Sequence, residues 1–587
     1  MSNMIQNAKD SISKLLNEAY LKAAAAGQLP EGAVLSGTVE IPRDTANGDF
    51  AANHAMTGAR AMRMAPRKIA DTLIANIELE GTWFSHVEAA GPGFINFTLA
   101  PSWYTDVLMV VNEEGEDYGR LDDGYGKKVM VEFVSANPTG PMHIGNARGG
   151  VLGDALSSVL DRAGYDVYRE FYVNDAGNQI EKFAGSIDAR YTQLLEGKLD
   201  LSDEEYGKFP EDGYHGEDIK EMARLFYAEH GDSYADKPVE ERHAAMAAFG
   251  LERNIPKMQN DLRRYGIEYD CWFFESDLHK SGYVAETVNM LTERGYTYEK
   301  DGALWLRTSK ILGDKLLASG KTPEQIEKLE LKDDVLRRSN GFYTYFAADI
   351  AYHRNKLEKR GFDLAVNVWG ADHHGHVARL KGALDALGLD GEHRLDIVLM
   401  QLVNLLWDGK PIKVSKRSGK SISLANLLDE IPIDSARYFF NTRPGSAVDF
   451  DMELAIREDN ENPVYYVQYA HARICTLLNN LKAEGHAVPE TDAVDLSLLT
   501  VPEERELIKQ LAGLPEEIRL AARDYDPSYI NKYVSELAAR YHRFYTVCRI
   551  KDAEPGVLEA RLFLSDSVRR VIEVALSIIG VGAPEKM

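Results

Sequence analysis

The sequence predicts a multidomain α/β protein, with a Rossmann-like parallel-sheet domain between an N-terminal α+β domain and a C-terminal all-α bundle. Two observations predict this fold. Patterns typical of strand, helix and strand follow one another over residues 127–175, which is the order of a βαβ unit. Only helical patterns follow from residue 433 to the end. A length of 587 residues agrees with several domains, at roughly 150 residues each.

Residues 1–112 form the predicted N-terminal domain. Apolar residues recur at helical spacing over 11–29 and 67–78, and they alternate with polar residues around a Gly-Pro-Gly turn over 86–100. We therefore expect two helices and a pair of strands in this domain.

Residues 125–430 form the predicted parallel-sheet domain, with a polar helical insertion near 185–265 that contains the acidic run 199–218. Its first strand lies in the run 127–140, its helix over 145–165 and its second strand over 166–175. Further strands are predicted at 302–307, 363–372 and 395–407. Residues 431–587 form the predicted bundle, with helices over 433–440, 462–482 and 530–550.

Composition limits the function classes. Lys and Arg total 67 and Asp and Glu total 92, which gives a net charge of −25. A protein that coats nucleic acid usually carries excess cations, so this class is excluded, although docking through local basic patches is not. We expect no membrane helix and no secretory signal. The three distant cysteines, Cys271, Cys475 and Cys548, make neither a disulfide framework nor a zinc knuckle, so a reducing cytoplasm is expected.

The segment NPTGPMHIGN (137–146) lies between the first strand of the βαβ unit and its helix. Ligands of α/β folds bind at this carboxyl edge, and the helix N-terminus attracts phosphate. Gly145 permits close approach of a ligand, while His143 and Asn146 can donate hydrogen bonds to phosphate oxygens. A lone histidine would favour a simple tight turn, but the cluster of Gly, His and Asn favours a phosphate site.

The segment KVSKRSGK (413–420) carries four cations within eight residues. This composition suits a mobile clamp on a polyphosphate, whereas a basic loop alone is usually solvated surface. A P-loop is excluded because its pattern requires Gly at position 414, where the sequence has Val414.

Together the two segments resemble the HIGH and KMSKS signatures of class I aminoacyl-tRNA synthetases. HIGN differs from HIGH at its last position, and KVSKR is close to KMSKS. Other stretches resemble the arginyl-tRNA synthetase family in particular, over nearly the whole chain. These stretches are GDFAANHAM (48–56), AGPGFINF (90–97), SANPTGPMHIG (135–145), IDSARYF (433–439), NPVYYVQYAHARI (462–474) and GVGAPEKM (580–587).

The resemblance implies an arginine–tRNA ligase. Such an enzyme activates L-arginine with ATP to arginyl-adenylate, transfers the arginyl group to the 3′ end of tRNA(Arg), and releases AMP and pyrophosphate. It also implies that 1–112 binds the tRNA elbow, that 125–430 is catalytic and that 431–587 is a DALR-type anticodon-binding domain. Activation that depends on tRNA, Mg²⁺ bound with ATP, a monomer and a cytoplasmic location are expected, without protein-bound zinc or contact with a membrane.

The resemblance assigns site residues where the motifs match. The expected catalytic residues are His143, Asn146, Lys413 and Lys416. The expected ATP-binding residues are Gly140, His143, Gly145, Asn146, Gly370, Asp372, Gln401 and Lys416. The expected arginine-binding residues are Asn137, Glu275, Tyr345 and Asp349. The expected tRNA-binding residues are Arg540, Arg543 and Arg549.

Elementary chemistry agrees with the arginine pocket, because a guanidinium requires planar carboxylate partners such as Glu275 and Asp349. Tyr345 and Asp349 are four residues apart and should share one helix face. Exposed carboxylates are common, however, so without the family resemblance an ordinary surface would be the better interpretation. Near the C-terminus, Tyr541, Phe544, Tyr545 and Cys548 form a stripe typical of a helix core, so the neighbouring arginines remain the candidates for RNA contact.

Two departures from the family pattern concern the ATP site. Asn146 replaces the last histidine of HIGH and can donate a hydrogen bond but cannot titrate. Lys416 is present, whereas many arginyl enzymes lack it and instead place a lysine just ahead of HIGH, where this chain has Gly140. This chain thus supplies the cation once, through Lys416. The histidines of WGADHHGHVAR (369–379) do not have zinc-site spacing, so no metal site is expected there.

Three alternatives remain. A class I synthetase for another amino acid, such as cysteine, is disfavoured because cysteinyl enzymes hold zinc through cysteines. A non-catalytic RNA-binding paralogue is disfavoured by the two intact motifs. A nucleotidyltransferase without tRNA is disfavoured by the helical domain at 431–587, for which an enzyme of small molecules has no use.

Overall fold

The computed structural model describes residues 3–371, 374–412, 422–442 and 445–587. Three sections follow one another along the chain: an α+β section, a parallel-sheet section with a helical insertion, and a helical section. None of the helices in the described ranges is long and apolar enough to cross a membrane.

The N-terminal section is a four-stranded antiparallel sheet covered by helices. Its strand order is β1-β2-β4-β3. The predicted strand pair is a hairpin whose turn includes Gly93 at φ 144°, where an added Cβ would lie 2.8 Å from the Cβ of Pro66. The two predicted helices are confirmed as α1 and α3. The elements are α1 (Met4–Ala25), β1 (Val39–Glu40), β2 (Phe50–Ala52), α2 (His54–Met62), α3 (Pro66–Ala75), β3 (Phe84–Ala90), β4 (Phe94–Leu99) and α4 (Pro101–Glu114).

The central sheet has five parallel strands in the order β12-β11-β5-β6-β7. The predicted βαβ unit is confirmed as β5, α5 and β6. From β5 the chain continues outward on one side to β6 and β7 and returns on the other side to β11 and β12. This reversal of direction opens a crevice at the carboxyl edge, between β5 and β11. The elements are β5 (Lys128–Glu132), α5 (Ile144–Arg162), β6 (Asp166–Val173), β7 (Cys271–Phe274), β11 (Leu364–Gly370) and β12 (Leu395–Met400).

The insertion between β6 and β7 is helical, as predicted, and it has a small core of its own around Phe183, Phe226 and Phe249. Its acidic run is tied to the buried Arg190, whose guanidinium lies 2.6 Å from Asp203. The helices are α6 (Asn178–Leu195), α7 (Asp203–Tyr206), α8 (Glu217–His230) and α9 (Val239–Arg264).

Between β7 and β12 the chain adds a small antiparallel sheet, in the order β10-β9-β8, and helices that flank the crevice. The helix α14 continues directly into one π-helical turn, Asn355–Lys359. The elements are α10 (Glu275–Lys280), α11 (Tyr283–Glu293), β8 (Thr297–Lys300), β9 (Ala303–Leu306), α12 (Thr308–Ala318), α13 (Pro323–Glu327), β10 (Asp334–Arg337), α14 (Tyr345–Arg354), α15 (His374–Ala386) and α16 (Gly391–Arg394).

Two expectations about strands are wrong. The run 395–407 is not one strand, because the chain breaks at the exposed pair Gln401 and Leu402 and continues in a second sheet as β13 (Val403–Trp407). Nor is the chain purely helical after residue 433, because β15 (Val448–Asp451) pairs in parallel with β13. The short strand β14 (Lys410–Pro411) completes this sheet on the other side of β13. Burial of Val448 and Phe450 with exposure of Asp449 gives β15 the alternation of a strand, over too few residues to predict.

The C-terminal helices pack on one another and on the N-terminal section, and one apolar core runs through both. Lys509 lies 2.6 Å from Asp49, and the Tyr118 hydroxyl donates to the carbonyl of Leu511 at 2.9 Å. The helices of this core are α20 (Pro463–Ala483), α21 (Pro502–Ala512), α22 (Leu514–Asp524), α23 (Ser528–Val547) and α24 (Val557–Ile578). The helices before them contribute side chains to the core of the central section: α17 (Leu424–Glu430), α18 (Ile433–Phe440) and α19 (Met452–Ala455).

Candidate active site

A cavity of about 650 Å³ lies at the carboxyl edge of the central sheet. Five of the residues predicted from the sequence line it together: Asn137, His143, Asn146, Asp349 and Gly370. The other lining residues are Glu132, Val134, Ser135, Tyr172, Asn174, Tyr352, His353, Val368, Trp369, Gly375, His376, Arg379 and Met400.

The turn after β5 is strained. Val134 and Ser135 have φ values of 69° and 41°, in the left-handed region that a β-branched residue such as valine rarely adopts. Ser135 Oγ stabilises the turn by donating to Glu132 Oε1 at 2.9 Å and by accepting from the backbone N–H of Tyr172 at 3.2 Å. Such strain costs about 1–3 kcal/mol per residue and occurs mostly where a site requires it. Here it redirects the chain from the strand into the segment with Asn137.

The N-terminus of α5 is capped by its own motif. His143 is the N-cap, and its Nδ1 accepts from the N–H of Gly145 at 3.1 Å. The backbone N–H of His143 donates to Asn146 Oδ1 at 3.0 Å. Loss of hydration lowers the pKa of His143, which favours the neutral ring that this cap requires. The oxygen of Asn146 is thus used by the fold, and its amide N–H groups are available to a ligand.

The described chain after KVSKR returns beside this cap. Ser423 forms an antiparallel bridge with His143, and the N–H of Leu424 donates to the carbonyl of Met142 at 2.8 Å. Lys413, Lys416 and Asp372 lie outside the described residues.

Two carboxylates, Asp349 and Glu275, act on Tyr172, and Asp349 lines the first cavity with it. Glu275, the first residue of α10, is 3% exposed, and Asn174 donates to its Oε2 at 3.1 Å. Burial raises the pKa of Tyr172 well above its usual value, and the negative charges of Glu275 and then Asp349 raise it further. The phenol of Tyr172 is neutral, so the charges near it are those of the two carboxylates. Such a site would attract a cation.

A residue of α15 holds the side chain of Asp349 in place. His376 Nε2 lies 3.0 Å from Asp349 Oδ2, and the His376 ring lies against Trp369, with centroids 5.7 Å apart. Arg379, one turn further, is held 2.6 Å from Asp334. The histidine that was considered as a metal ligand in the sequence therefore orients a carboxylate. In the described parts of the chain, no group of three or more His, Cys, Asp or Glu could hold a metal ion.

A second cavity of about 700 Å³ contains the other predicted arginine-binding residues, Glu275 and Tyr345, together with Arg338, Phe342 and Tyr343. Tyr345 is 41% exposed. The predicted pair on α14 is thus divided, since Tyr345 lines this cavity and Asp349 lines the first. Tyr172 lines the first cavity and Glu275 the second.

A third cavity of about 520 Å³ joins the first motif to the insertion. Gly140 lines it with Asn137, His143 and Asn146, opposite Tyr214 and Asp218 of the insertion. At Gly140, an added Cβ would lie 3.3 Å from Asp218 Oδ2, so a larger residue would crowd this contact.

The side chain of Gln401 is exposed, and the hydrogen bond found at this residue is made by its backbone. Its carbonyl accepts from the buried Arg148 at 2.7 Å, while the preceding residue, Met400, lines the first cavity. Gly145 lies within the helix cap itself.

The three C-terminal arginines lie on or near the surface of α23 and just beyond it. Arg540 pairs with Glu506 at 3.1 Å and Arg543 pairs with Glu503 at 3.2 Å, while Arg549 is exposed. Most of the aromatic stripe beside them is in the core, because Tyr541 and Phe544 are fully buried.

Several residues of the first cavity are not predicted from the sequence, chiefly Glu132, Tyr172, His353 and Trp369. Glu132 carried a signal, because it is an acidic residue at the end of an otherwise apolar strand that leads to the first motif. His353, one turn after Asp349 on α14, could also have been suspected. Tyr172 and Trp369 look like ordinary strand residues.

His353 predicts a pH dependence of stability. It is fully buried and its pKa is lowered well below 6.5, so it is neutral in the folded state. Its Nδ1–H donates to the carbonyl of Asp349 at 2.8 Å, and Nε2 accepts from Asn367 at 2.8 Å. Below about pH 6.5 the unfolded state binds a proton that the folded state does not, so stability should fall by up to about 1.4 kcal/mol per pH unit.

Urea unfolding between about pH 5 and 8 measures this effect. The His353→Gln variant is the control, because glutamine does not titrate and the stability difference between the two proteins should change only below pH 6.5. A difference that is constant with pH would contradict a neutral His353.

Models of three protein families match the chain in consecutive parts. They are described as "Arginyl tRNA synthetase N terminal domain" over residues 6–99, "tRNA synthetases class I (R), catalytic domain" over 111–447 and "DALR anticodon binding domain" over 467–587.

Curated relatives match over the full length. The chain is 49% identical to an arginine–tRNA ligase of Acetivibrio thermocellus and 50% identical to one of Ruminiclostridium cellulolyticum, each with 100% of both chains covered. Among solved structures, an arginyl-tRNA synthetase from Campylobacter jejuni matches with a TM-score of 0.71 and 30% identity, over 83% of this chain and 100% of that one. The arginyl-tRNA synthetase of Thermus thermophilus has the same fold, with a TM-score of 0.69 and 22% identity, over 98% and 100%.

Proposed function

The chain belongs to the arginyl-tRNA synthetase family, and from this premise we propose that the crevice between β5 and β11 is where arginine meets ATP. The activity is that of an arginine–tRNA ligase. The observation that carries the proposal is the pair of carboxylates around Tyr172, with Asp349 in the first cavity and Glu275 in the adjoining second cavity, and the capped helix N-terminus that also lines the first cavity. One end suits a guanidinium and the other suits phosphate.

Arginine would lie across the cavity with its side chain toward the carboxylates. Glu275 and Asp349 would accept from the guanidinium, whose five N–H donors can satisfy two carboxylates at once. Tyr345 would close this end from the second cavity. Asn137 and Glu132, which follow or end β5, would hold the α-amino and carboxylate end of the substrate.

ATP would lie with its phosphates at the N-terminus of α5. The helix dipole, the imidazole of His143 and the amide of Asn146 favour negative charge there, and Gly140 and Gly145 permit close approach. Gly370, Asp372 and Gln401 belong to the proposed nucleoside side. Lys413 and Lys416 would supply the cations, and Mg²⁺ would arrive with ATP, held mainly by phosphates and water.

The reaction then needs positioning and electrostatics rather than a covalent enzyme intermediate. An oxygen of the arginine carboxylate attacks the α-phosphorus of ATP, and the bond from that phosphorus to pyrophosphate breaks. The terminal ribose hydroxyl of tRNA next attacks the carbonyl of the adenylate, and AMP leaves. Activation that requires bound tRNA is part of the proposal.

The tRNA would bind across both ends of the chain, with its elbow on 1–112 and its anticodon on 431–587. Arg540, Arg543 and Arg549 would meet its phosphates, after Arg540 and Arg543 exchange their ion pairs with Glu506 and Glu503. The apolar core shared by these two sections would hold the elbow-binding and anticodon-binding surfaces at a fixed distance from each other. We propose a monomer that acts in the cytoplasm.

Exchange of pyrophosphate into ATP tests this function with each of the twenty amino acids, with and without tRNA. We expect exchange with arginine alone, and only when tRNA is present. Exchange with arginine in the absence of tRNA would show that activation does not require tRNA, and it would still support the ligase activity. Exchange with another amino acid would contradict the pocket of Glu275 and Asp349, and folded protein that is silent throughout would point to a paralogue that binds RNA without charging it.

A further inference from the structure

A fully buried ion pair lies beneath the first cavity. Lys356 Nζ is 2.6 Å from Glu132 Oε2, and the two side chains are 0% and 6% exposed. The other oxygen of Glu132 accepts from Ser135, and Glu132 itself lines the cavity. The proposed reaction assigns no role to Lys356. Burying two charges costs more free energy than an apolar pair of the same size would, so the fold alone does not explain this pair.

The backbone is altered where this lysine occurs. The α-helix α14 changes to a π-helical turn at Asn355–Lys359, and within that turn Lys356 is buried while Lys359 is exposed. Single π-helical turns are rare and are frequently found at functional sites. The lysine ammonium also lies 4.2 Å from the ring centroid of Tyr352, which covers it.

The pair is linked to the opposite wall of the cavity. Lys356 Nζ also donates to Asn367 Oδ1 at 3.1 Å, and Asn367 Nδ2 donates to His353 Nε2 at 2.8 Å. Because Nε2 accepts, the proton of the neutral ring is on Nδ1, from which it bonds to the carbonyl of Asp349. One chain of hydrogen bonds therefore runs from Glu132 to the backbone of Asp349.

We propose that Lys356 is a positioning residue for the amino-acid substrate: it holds the Glu132 carboxylate aimed into the cavity and, through Asn367, fixes the His353 tautomer that supports Asp349. This inference rests on the proposed function. Lys356 acts from below the pocket, so it supports the binding of arginine and has no contact with ATP. The loss of Lys356 would leave the buried carboxylate of Glu132 without its cation and free to turn away from the substrate.

The test compares Lys356→Met with Lys359→Met, an equal substitution in the same π-helical turn at an exposed position. Calorimetry with the full chain measures the affinities for arginine and for ATP separately. We expect Lys356→Met to weaken arginine binding by about tenfold or more near pH 7 and to change ATP binding by less than about twofold, with no change in Lys359→Met.

A double-mutant cycle separates positioning from simple support of the fold. Glu132→Gln removes the carboxylate that Lys356 holds, so the loss of arginine affinity in the double variant Lys356→Met, Glu132→Gln should be smaller than the sum of the losses in the two single variants. Additive losses would mean that Lys356 does not act through Glu132.

The inference is overturned if Lys356→Met binds arginine as the unmodified chain does, or loses arginine and ATP binding in parallel. If Lys356→Met does not fold, Asn367→Leu keeps both charges and breaks the link to His353, and it should weaken arginine binding by about threefold. Unchanged binding in Asn367→Leu would then overturn the inference. An unmodified chain that binds no arginine would instead contradict the proposed function.

Discussion

Replacing Glu275 by glutamine is expected to lower kcat/KM for arginine by about a hundredfold or more. The substitution retains the shape of the side chain and removes the charge of a carboxylate that is 3% exposed. A guanidinium that enters a buried site without its carboxylate partner loses its hydration and gains little in return. The loss of one partner of such a pair costs about 2–5 kcal/mol. The effect should fall on arginine and not on ATP, because the helix cap at His143 is unchanged. Steady-state pyrophosphate exchange with each substrate varied in turn measures both values.

Asp277→Asn is the matched control. Asp277 lies two residues further along α10 and is exposed, so the same change of charge should alter kcat/KM by less than about twofold. If the two variants lose arginine activity equally, the general negative field of this helix binds the substrate, and Glu275 is not a specific partner. If Glu275→Gln raises KM for ATP as much as for arginine, the assignment of the two ends of the cavity is wrong.

The elements that the sequence predicted well have long and strong periodicity. The βαβ unit and the long helices α1, α20 and α23 were found because many buried residues repeat at one spacing. The strand β15 was missed because four residues are too few for a period, and it is stabilised by pairing with β13, which lies about forty residues earlier in the chain. The break after β12 was missed because apolar residues continue through it, although Gln401 and Leu402 are exposed.

The residues of the site also divide into those that could be predicted from the sequence and those that could not. Motif residues such as His143 and Asp349 could be assigned from the resemblance, and the structure brings both of them to one cavity. Residues that act through contacts between distant strands could not. Lys356 reaches Glu132 across 224 residues of chain, and only the parallel pairing of β5 with β11 brings the two elements together. A lysine in a helical pattern looks like surface, and nothing local shows that a π-helical turn buries it.

The side chain of Asn146 has a structural role that is not predicted from the sequence. As a departure from HIGH, it was expected only to donate to a ligand. The structure shows that its oxygen accepts from the backbone N–H of His143, as part of the cap that orders the first turn of α5. One side chain thus has two tasks that use different atoms. The oxygen orders the helix end, and the amide N–H groups are left to donate to the phosphate that is proposed to bind in the cavity lined by Asn146.

Two substitutions separate these tasks. Asn146→Asp keeps an oxygen for the cap but removes the N–H donor and adds a negative charge, so stability should be nearly unchanged while kcat for pyrophosphate exchange falls by about a hundredfold or more. Asn146→Ala removes both functions, so it should lose activity and also about 1 kcal/mol of stability. Thermal unfolding and exchange kinetics on the two variants measure the two effects. Full activity in Asn146→Asp would exclude a phosphate contact by the amide, since a carboxylate cannot donate and would repel ATP. Equal stability of the two variants would mean that the cap does not depend on this oxygen.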